Sequence, residues 1–328
     1  MKHFFSVATA AIALFIAFAA AAQAQTAQVT PTPTPGSSTA PAPESSGGGL
    51  DDTNLTPEQQ AALKAAIIKT SQNPVGNIAI IPFQNNSNYG LGPYTRWQYN
   101  LNIQPVVPIM LSTNLTLIAR TIIPFVNQPS FAPPAVCASA FGCPSTFGLS
   151  DIQEQLFFAP KTRPGALIWG LGPIFQLPTA APGVLGSGKW SVGPTAVALV
   201  MPGRFVMGLL VNQLWSFAGR VNQPNVNSGL FQPFVNYNIP GGQFSLSTAP
   251  IVTANYSAPG DQKWTVPIGG GGSYTFKLGD QIMQLAAVYY SNIVRPLSGP
   301  QTTLRITWSL LYPVKRGINI QELLKEAQ

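Results

Sequence analysis

Residues 96–107 read Arg-Trp-Gln-Tyr-Asn-Leu-Asn-Ile-Gln-Pro-Val-Val. In an extended chain successive side chains point to opposite faces. Trp97, Tyr99, Leu101, Ile103, Pro105 and Val107 therefore share one face, and Arg96, Gln98, Asn100, Asn102 and Gln104 share the other. One face suits hydrocarbon and the other suits water. The same phase returns near the C-terminus, where Leu304, Ile306, Trp308, Leu310 and Tyr312 alternate with Arg305, Thr307 and Ser309. It returns again where Trp264, Val266 and Ile268 lead through Gly270 and Gly272 to Tyr274 and Phe276, opposite Thr265, Ser273, Thr275 and Lys277. Segments 166–178 and 189–201 alternate less clearly, because small or apolar residues occupy both faces.

Extended outward, the period-two pattern gives about twelve strands: 75–84, 94–107, 113–125, 150–160, 166–178, 189–200, 204–217, 229–239, 243–256, 263–277, 281–293 and 302–312. Their lengths match or exceed the 9–11 residues that cross a bilayer as tilted strands. The connections alternate in kind. Ala159-Pro160 to Pro164-Gly165, Met201-Pro202-Gly203, Ile239-Pro240-Gly241-Gly242 and Leu278-Gly279-Asp280 are short and turn-like, whereas 126–149, 179–188, 218–228, 257–262 and 294–301 are longer. Short turns on one side and longer loops on the other characterise a transmembrane barrel, with the short side periplasmic. The expected fold class is all-β: an antiparallel transmembrane β-barrel of about 12 strands over 73–313, with both termini periplasmic. Trp97, Trp190, Trp215 and Trp264 fall near the long-loop ends, where an outer interfacial girdle of aromatics belongs.

Composition agrees. Only 8% of the 328 residues are charged, against about 25% in soluble proteins. Charge gives way to 30 Gly, 32 Pro and neutral polar residues rather than to hydrocarbon, since apolar residues make up an ordinary 45%. Helical membrane spans need about 20 consecutive apolar residues, and none follows the N-terminal run. That run, Phe4 to Ala22, comes after Lys2 and His3 and ends in Ala22-Gln23-Ala24, a small-x-small triplet. Residues 1–24 read as a signal peptide cleaved after Ala24. Residues 25–56 read as a disordered Pro/Thr/Gly-rich linker. Thr56 as N-cap and Pro57 at the first helical position then open a short helix over 57–72, ended by Asn73-Pro74. It plugs the lumen, lies on the periplasmic surface or serves as a loosely attached spacer. Residues 314–328 form a C-terminal periplasmic tail.

Two features strain this reading. Pro105, Pro173, Pro194, Pro233, Pro250 and Pro267 lie inside proposed strands, where each removes a ladder donor, so bulges or interruptions are expected. Glu154 falls on the outward phase with Ile152, Leu156 and Phe158. Either a bulge shifts that strand or Glu154 lies near an interface.

Several stretches together resemble a known family. They are Ser71-Gln72-Asn73-Pro74-Val75, IPFQNN (81–86), LNIQPVVP (101–108), IARTIIP (118–124), LSDIQEQLFFAPK (149–161), WGLGPIFQLPTA (169–180), GSGKWSVGPTAVAL (186–199), LWSFAG (214–219), QPFVNYN (232–238), WTVPIGGG (264–271) and NIVRP (292–296). The chain resembles the outer-membrane barrel family grouped with the meta-pathway of phenol degradation, whose members carry labels such as "transporter" or "neuromedin U". The resemblance spans nearly all of 71–312 and implies a porin-like outer-membrane barrel of a Gram-negative bacterium that passes small organic molecules. Two departures stand out: Glu154 at an expected apolar place, and a tail that leaves Tyr312 non-terminal.

The residues argue against an enzyme. The only histidine, His3, leaves with the signal peptide, and with it go Ser-His, Cys-His and histidine-metal chemistry. The barrel region holds only Asp151, Glu154, Asp261 and Asp280 as acids, with no pair inferable for glycosidase work. No catalytic residue, metal or cofactor is expected. Gly269 to Gly272 reads as a place where a strand coils or backbones approach closely, not as a phosphate cradle. Cys137 and Cys143, in the longest loop, read as a disulfide in an oxidising compartment. The loop they pin either narrows the pore or stays on the surface.

Arg96, Arg120 and Arg305 lie on the polar phase of the second, third and twelfth strands, and all three are expected in the outer half of one lumen sector. Lys161, Arg163 and Arg204 belong to periplasmic turns. From Val75 to Tyr312 eleven basic residues face four acidic ones, and a lumen lined with arginine favours anions. The alternative is that these arginines only solvate the interior. Dispersed charge without clustered aromatics argues against nucleic acid. The expected role is passive or facilitated passage of small, anionic or aromatic solutes. The competing class is a structural or adhesive barrel with a closed lumen that binds partners through loops or the linker. Expected partners are outer-membrane lipids, the barrel assembly machinery, periplasmic chaperones and the small-molecule solute, with a monomer favoured over an oligomer.

Overall fold

A strand whose outer face is apolar has to pair its backbone on both edges, because lipid offers no hydrogen-bond partner. In the computed structural model every strand meets this demand by closing into one antiparallel barrel. The structure describes residues 68–313 except 70, 77, 138–142, 164, 241, 242 and 280. The segments are β1 (Ile78–Leu91), β2 (Arg96–Ile103), β3 (Val106–Ser112), β4 (Leu115–Pro129), β5 (Ser145–Leu149), β6 (Ile152–Pro160), β7 (Ile168–Leu177) and β8 (Lys189–Val200), followed by β9 (Phe205–Gly219), β10 (Asn227–Asn238), β11 (Phe244–Thr248), β12 (Val252–Asn255), β13 (Trp264–Leu278), β14 (Gln281–Val294) and β15 (Thr302–Pro313). They make 12 passes, because β2 with β3, β5 with β6, and β11 with β12 are each one pass broken in two. β1 and β15 pair from Ile78↔Pro313 to Tyr89↔Thr302, which closes the sheet. The signal peptide, the linker and the tail lie outside the described residues. So does the helix expected over 57–72, of which only Ile68, Lys69, Ser71 and Gln72 are among the described residues.

The strands differ from the alternation pattern at their long-loop ends. β1 runs on through Gln84, Asn85, Asn86, Ser87 and Asn88 to Leu91, and β4 runs on to Pro129. Polar runs of this kind carry no apolar signal. They become strand because neighbours on both sides offer ladder partners: Asn86 lies opposite Arg305 of β15 and Asn100 of β2.

The prolines explain the breaks. The break at Gln104-Pro105 faces Pro82 of β1, whose carbonyl accepts from the Gln104 N–H at 2.9 Å. The break at Ser150-Asp151 faces Pro124 of β4, whose carbonyl accepts from the Ser150 N–H at 2.8 Å. Pro250 breaks β11 from β12, between Pro233 of β10 and Pro267 of β13, where the β13–β14 register also shifts. A missing N–H ends the ladder locally, and the opposing chain bulges away instead of leaving a carbonyl unpaired. Pro173 and Pro194 behave differently. They sit directly opposite each other in an unbroken β7–β8 ladder. Pairing skips 156–157 on the β6 side and 193–194 on the β9 side, so their missing donors point outward to those two ladders.

Side-chain direction follows from burial and partners. Leu171, Phe217, Ile268, Leu285, Tyr289, Ile293 and Trp308 all lie on the outer wall and are exposed. A continuous apolar surface of this extent suits lipid rather than water. The inner wall has two zones. Toward the long loops it carries Asn, Gln, Ser, Thr and Arg. Toward the short turns Ile118, Phe157, Ala159, Val197, Leu199, Val206, Leu210 and Phe234 pack together around Val75, from the segment that precedes β1. Gln72, three residues earlier, donates to Asn238 Oδ1 at 2.8 Å and to Ser245 Oγ at 3.2 Å, both inward-facing. The lumen is thus filled by apolar side chains at its short-turn end. This also accounts for the poor alternation of 166–178 and 189–201, whose inner faces contribute Ile174, Val197 and Leu199.

At Gly269 and Gly271 only hydrogen fits. A Cβ on Gly269 or Gly271 would collide with the carbonyl oxygen of Tyr289 or Ala287 across the β13–β14 ladder. Close backbone approach is therefore the reason for the glycine run.

Candidate functional site

Above the apolar zone the lumen holds a cavity of about 510 Å³. Carboxamides are its commonest lining groups, with Gln84, Asn100, Asn102, Gln153, Gln176 and Gln232 on the inward phases of their strands, and it carries two charged residues, Arg120 and Asp151. Leu210, Leu230 and Ile251 supply apolar patches.

Arg120 projects inward from β4. Its Nη2 donates to Gln104 Oε1 at 2.6 Å and its Nη1 to Gln155 Oε1 at 3.3 Å. Gln155 is nearly fully buried and is held in the wall by β6. Arg305, on β15, donates from Nε to Asn86 Oδ1 at 2.9 Å and from Nη1 to the Ala249 carbonyl at 3.0 Å. That carbonyl is available because the strand is broken at Pro250. The Arg305 guanidinium also lies 4.9 Å from the ring centre of buried Tyr290, whose hydroxyl accepts from the Ala249 N–H at 3.0 Å. Both guanidiniums are held by neutral acceptors rather than by carboxylates. Neither guanidinium is neutralised by a direct ion pair, and Asp151 is the carboxylate in the same cavity wall.

Arg96 is placed otherwise. Its Nη2 donates to the Ala132 carbonyl at 2.9 Å and to Cys143 Sγ at 2.9 Å, so it is spent at the rim on the disulfide loop. Cys137 and Cys143 are bonded to each other. The three arginines do share a sector, on the neighbouring passes of β15, β1, β2 and β4. They do not share a level. Arg96 lies four residues, roughly 13 Å, nearer the long loops than Asn100 in the Arg305–Asn86–Asn100 row. Arg120 lies in the short-turn half, not the outer half, because β4 extends to Pro129.

Loop 178–188 folds inward. Val184, Leu185, Gly186 and Ser187 line the cavity. Asp151 clasps it: Oδ2 accepts from the Ser187 N–H at 2.6 Å and the Ser187 hydroxyl at 2.7 Å, and Oδ1 accepts from the Ala180 N–H at 3.3 Å. Leu149 and Ala181 exchange both backbone bonds, at 3.1 and 2.9 Å, and the Ser150 hydroxyl donates to the Leu185 carbonyl at 2.5 Å. The buried Asp151 carboxylate is thereby saturated by the loop. Sequence reasoning missed this role. The available signal was an acid beside a break in the alternation of a chain with few acids.

Glu154 keeps its outward phase. The break at Ser150-Asp151 precedes it without turning it inward, and the hydroxyl of Thr121, also outward, donates to its Oε2 at 2.6 Å. Trp97, Trp190, Trp215 and Trp264 all point outward near the long-loop ends, and Trp169 points outward near the opposite end. Ahead of β1, burial pulls the Lys69 ammonium below the ordinary lysine range.

No protein-family model matches the chain. No curated protein matches it either. Among solved structures it is similar to an outer-membrane channel from Pseudomonas putida F1, with a TM-score of 0.52 and 16% identity over 72% of this chain and 94% of that one. At this identity the likeness shows the fold alone, a closed antiparallel β-barrel. Looser matches include the NanC porin, with a TM-score of 0.44, 10% identity and coverage of 71% and 98%. Another is outer membrane phospholipase A from Escherichia coli, with a TM-score of 0.40, 12% identity and coverage of 77% and 97%.

Proposed function

We propose that this protein is an outer-membrane channel for small solutes, selective for anionic or aromatic molecules, in which Arg120 and Arg305 set the selectivity and Arg96 orders the mouth. The observation that carries the reading is the pairing of an apolar outer wall with a polar inner wall on which two guanidiniums, Arg120 at the cavity and Arg305 on β15, rest on neutral acceptors. Such a field raises the local concentration of anions and repels cations. In this reading the termini are periplasmic, residues 1–24 are a cleaved signal peptide, 25–56 a linker and 314–328 a periplasmic tail. The four long-loop tryptophans form the outer girdle, and the chain is a meta-pathway-type barrel inserted as a monomer by the assembly machinery. The fold shared with a Pseudomonas putida channel supports the outer-membrane setting.

The test is planar-bilayer recording under a salt gradient. Anion preference is expected, falling on Arg120→Gln and again on Arg305→Gln, with a smaller change for Arg96→Gln. Cation preference that survives all three substitutions would overturn the assignment. The apolar cluster around Val75 favours a second reading, a closed structural or adhesive barrel. A folded barrel with neither conductance nor liposome swelling would select it.

A further inference from the structure

Two bases at the long-loop end of the barrel have no counter-charge. Lys189 opens β8 on the inward phase, opposite Gly219 of β9. Arg220, the residue after β9, donates its backbone N–H to the Gly188 carbonyl at 3.0 Å, so the two bases are diagonal neighbours across one ladder. Among the described residues neither the Lys189 ammonium nor the Arg220 guanidinium has a hydrogen bond or an ion pair. Lys189 is only 7% exposed, and a buried charge is ordinarily paired. Its ammonium is nevertheless open to water: the unpartnered side-chain atoms sealed away from solvent are others, on Asn85, Asn100, Asn127, Ser191 and Asn212.

Both bases adjoin loop 178–188. A Cβ on Gly183 would stand 2.6 Å from Arg220 Nη1 and 3.2 Å from its Cζ, and one on Gly188 would stand 3.1 Å from its Cδ. The arginine therefore runs across two glycines of the loop, with its guanidinium over Gly183. Lys189 follows the loop directly, and its stem lies against Gly219, where a Cβ would stand 3.1 Å from Lys189 Cδ. Asp151, which holds the same loop, spends its oxygens on Ser187, Ala180 and Gln176. Two uncompensated positive charges side by side repel each other, and one anion carrying two negative charges relieves both. A guanidinium pairs with a phosphate through two parallel N–H bonds, and an ammonium adds a compact point charge.

We infer that Lys189 and Arg220 form a binding site for dianionic oxyanions of the phosphate class at the long-loop mouth of the lumen. The site deepens the channel reading, on which its role as an entry station rests, and is separate from Arg96, Arg120 and Arg305. Because Lys189 faces the lumen, the dianion comes from solution; the phosphates of an outer-leaflet lipid share the same chemistry.

Calorimetric titration of the folded full-length barrel in detergent tests it, at fixed ionic strength and a pH where phosphate is the dianion, with inorganic phosphate and acetate as probes. Phosphate is expected to bind at least tenfold more tightly than acetate. Lys189→Gln and Arg220→Gln are each expected to weaken it at least tenfold, whereas Lys189→Arg, which keeps the charge, retains it. Gly183→Leu should weaken it as well, by placing a side chain where the guanidinium lies. Should Lys189→Gln lose the heat-modifiable band, Arg220→Gln and Gly183→Leu decide. Phosphate binding no tighter than acetate, or binding indifferent to the folded variants, would overturn the site. Equal phosphate affinity in phosphatidylcholine vesicles with and without lipopolysaccharide supports a dissolved dianion; affinity lost only with lipopolysaccharide keeps the dianion site and overturns its solution source. Bilayer current on the same preparation reports the channel reading separately. Current without phosphate binding leaves the channel and removes this site; phosphate binding without current does the reverse.

Discussion

Replacing Asp151 by alanine removes the clasp on loop 178–188. Two short charge-assisted bonds, from the Ser187 N–H at 2.6 Å and its hydroxyl at 2.7 Å, are lost together with the longer one from Ala180. Hydrogen bonds to a charged group contribute about 1.5–3 kcal/mol each. The released donors regain water when the loop lifts, and the Leu149–Ala181 pair and the Ser150–Leu185 bond remain. A net loss of about 3 kcal/mol is therefore reasonable, and at about 1.4 kcal/mol per factor of ten it shifts the ratio of seated to lifted loop by roughly a hundredfold. Single-channel recording is the assay. Asp151→Ala should show larger mean conductance and frequent transitions between levels, and Asp151→Asn, which keeps an acceptor but loses the charge, should fall between it and the native chain. If the Asp151→Ala barrel keeps its heat-modifiable band and its current trace matches the native one in level and dwell time, the loop is not the constriction and the reasoning fails.

Gly271→Val should abolish the folded band in gel migration, because its Cβ meets the Ala287 carbonyl in an otherwise continuous ladder; a folded Gly271→Val barrel would show that β13 and β14 can separate there. Phe157→Ala, in the apolar zone around Val75, should lower the unfolding free energy in urea by about 3–5 kcal/mol, and an unchanged midpoint would mean that this cluster is not packed. Glu154→Leu should raise the urea midpoint, since a carboxylate on the lipid face destabilises even with Thr121 bonded to it; a lowered midpoint would show that the outward carboxylate has a structural partner. Mass spectrometry of the non-reduced protein should find no free thiol at Cys137 or Cys143, and Cys143→Ser should loosen Arg96 without altering the selectivity set by Arg120 and Arg305.

The contrast between residues that were legible and those that were not has a physical basis. Arg96, Arg120 and Arg305 were readable as inward because side-chain phase is a local property of an extended chain. Their levels were not, since level depends on where each strand ends, and the ends of β1 and β4 are polar or proline-bearing residues that become strand only through their neighbours. The prolines announced breaks but not the rule behind them, that a break in one strand answers a missing donor in the next, because that rule joins residues from different passes.

The sequence by itself determined the barrel, its twelve passes, its apolar exterior and the scarcity of charge that makes each remaining arginine conspicuous, because all of these follow from period-two alternation and composition. Only the tertiary structure decided what fills the lumen. The apolar cluster at one end joins Val75 with residues from five different strands. Loop 178–188 is drawn in by an acid from another pass, and Arg305 bonds a carbonyl 56 residues away that a proline has freed. Closing a sheet brings together side chains that no local pattern relates, and in a barrel the interior consists of such encounters.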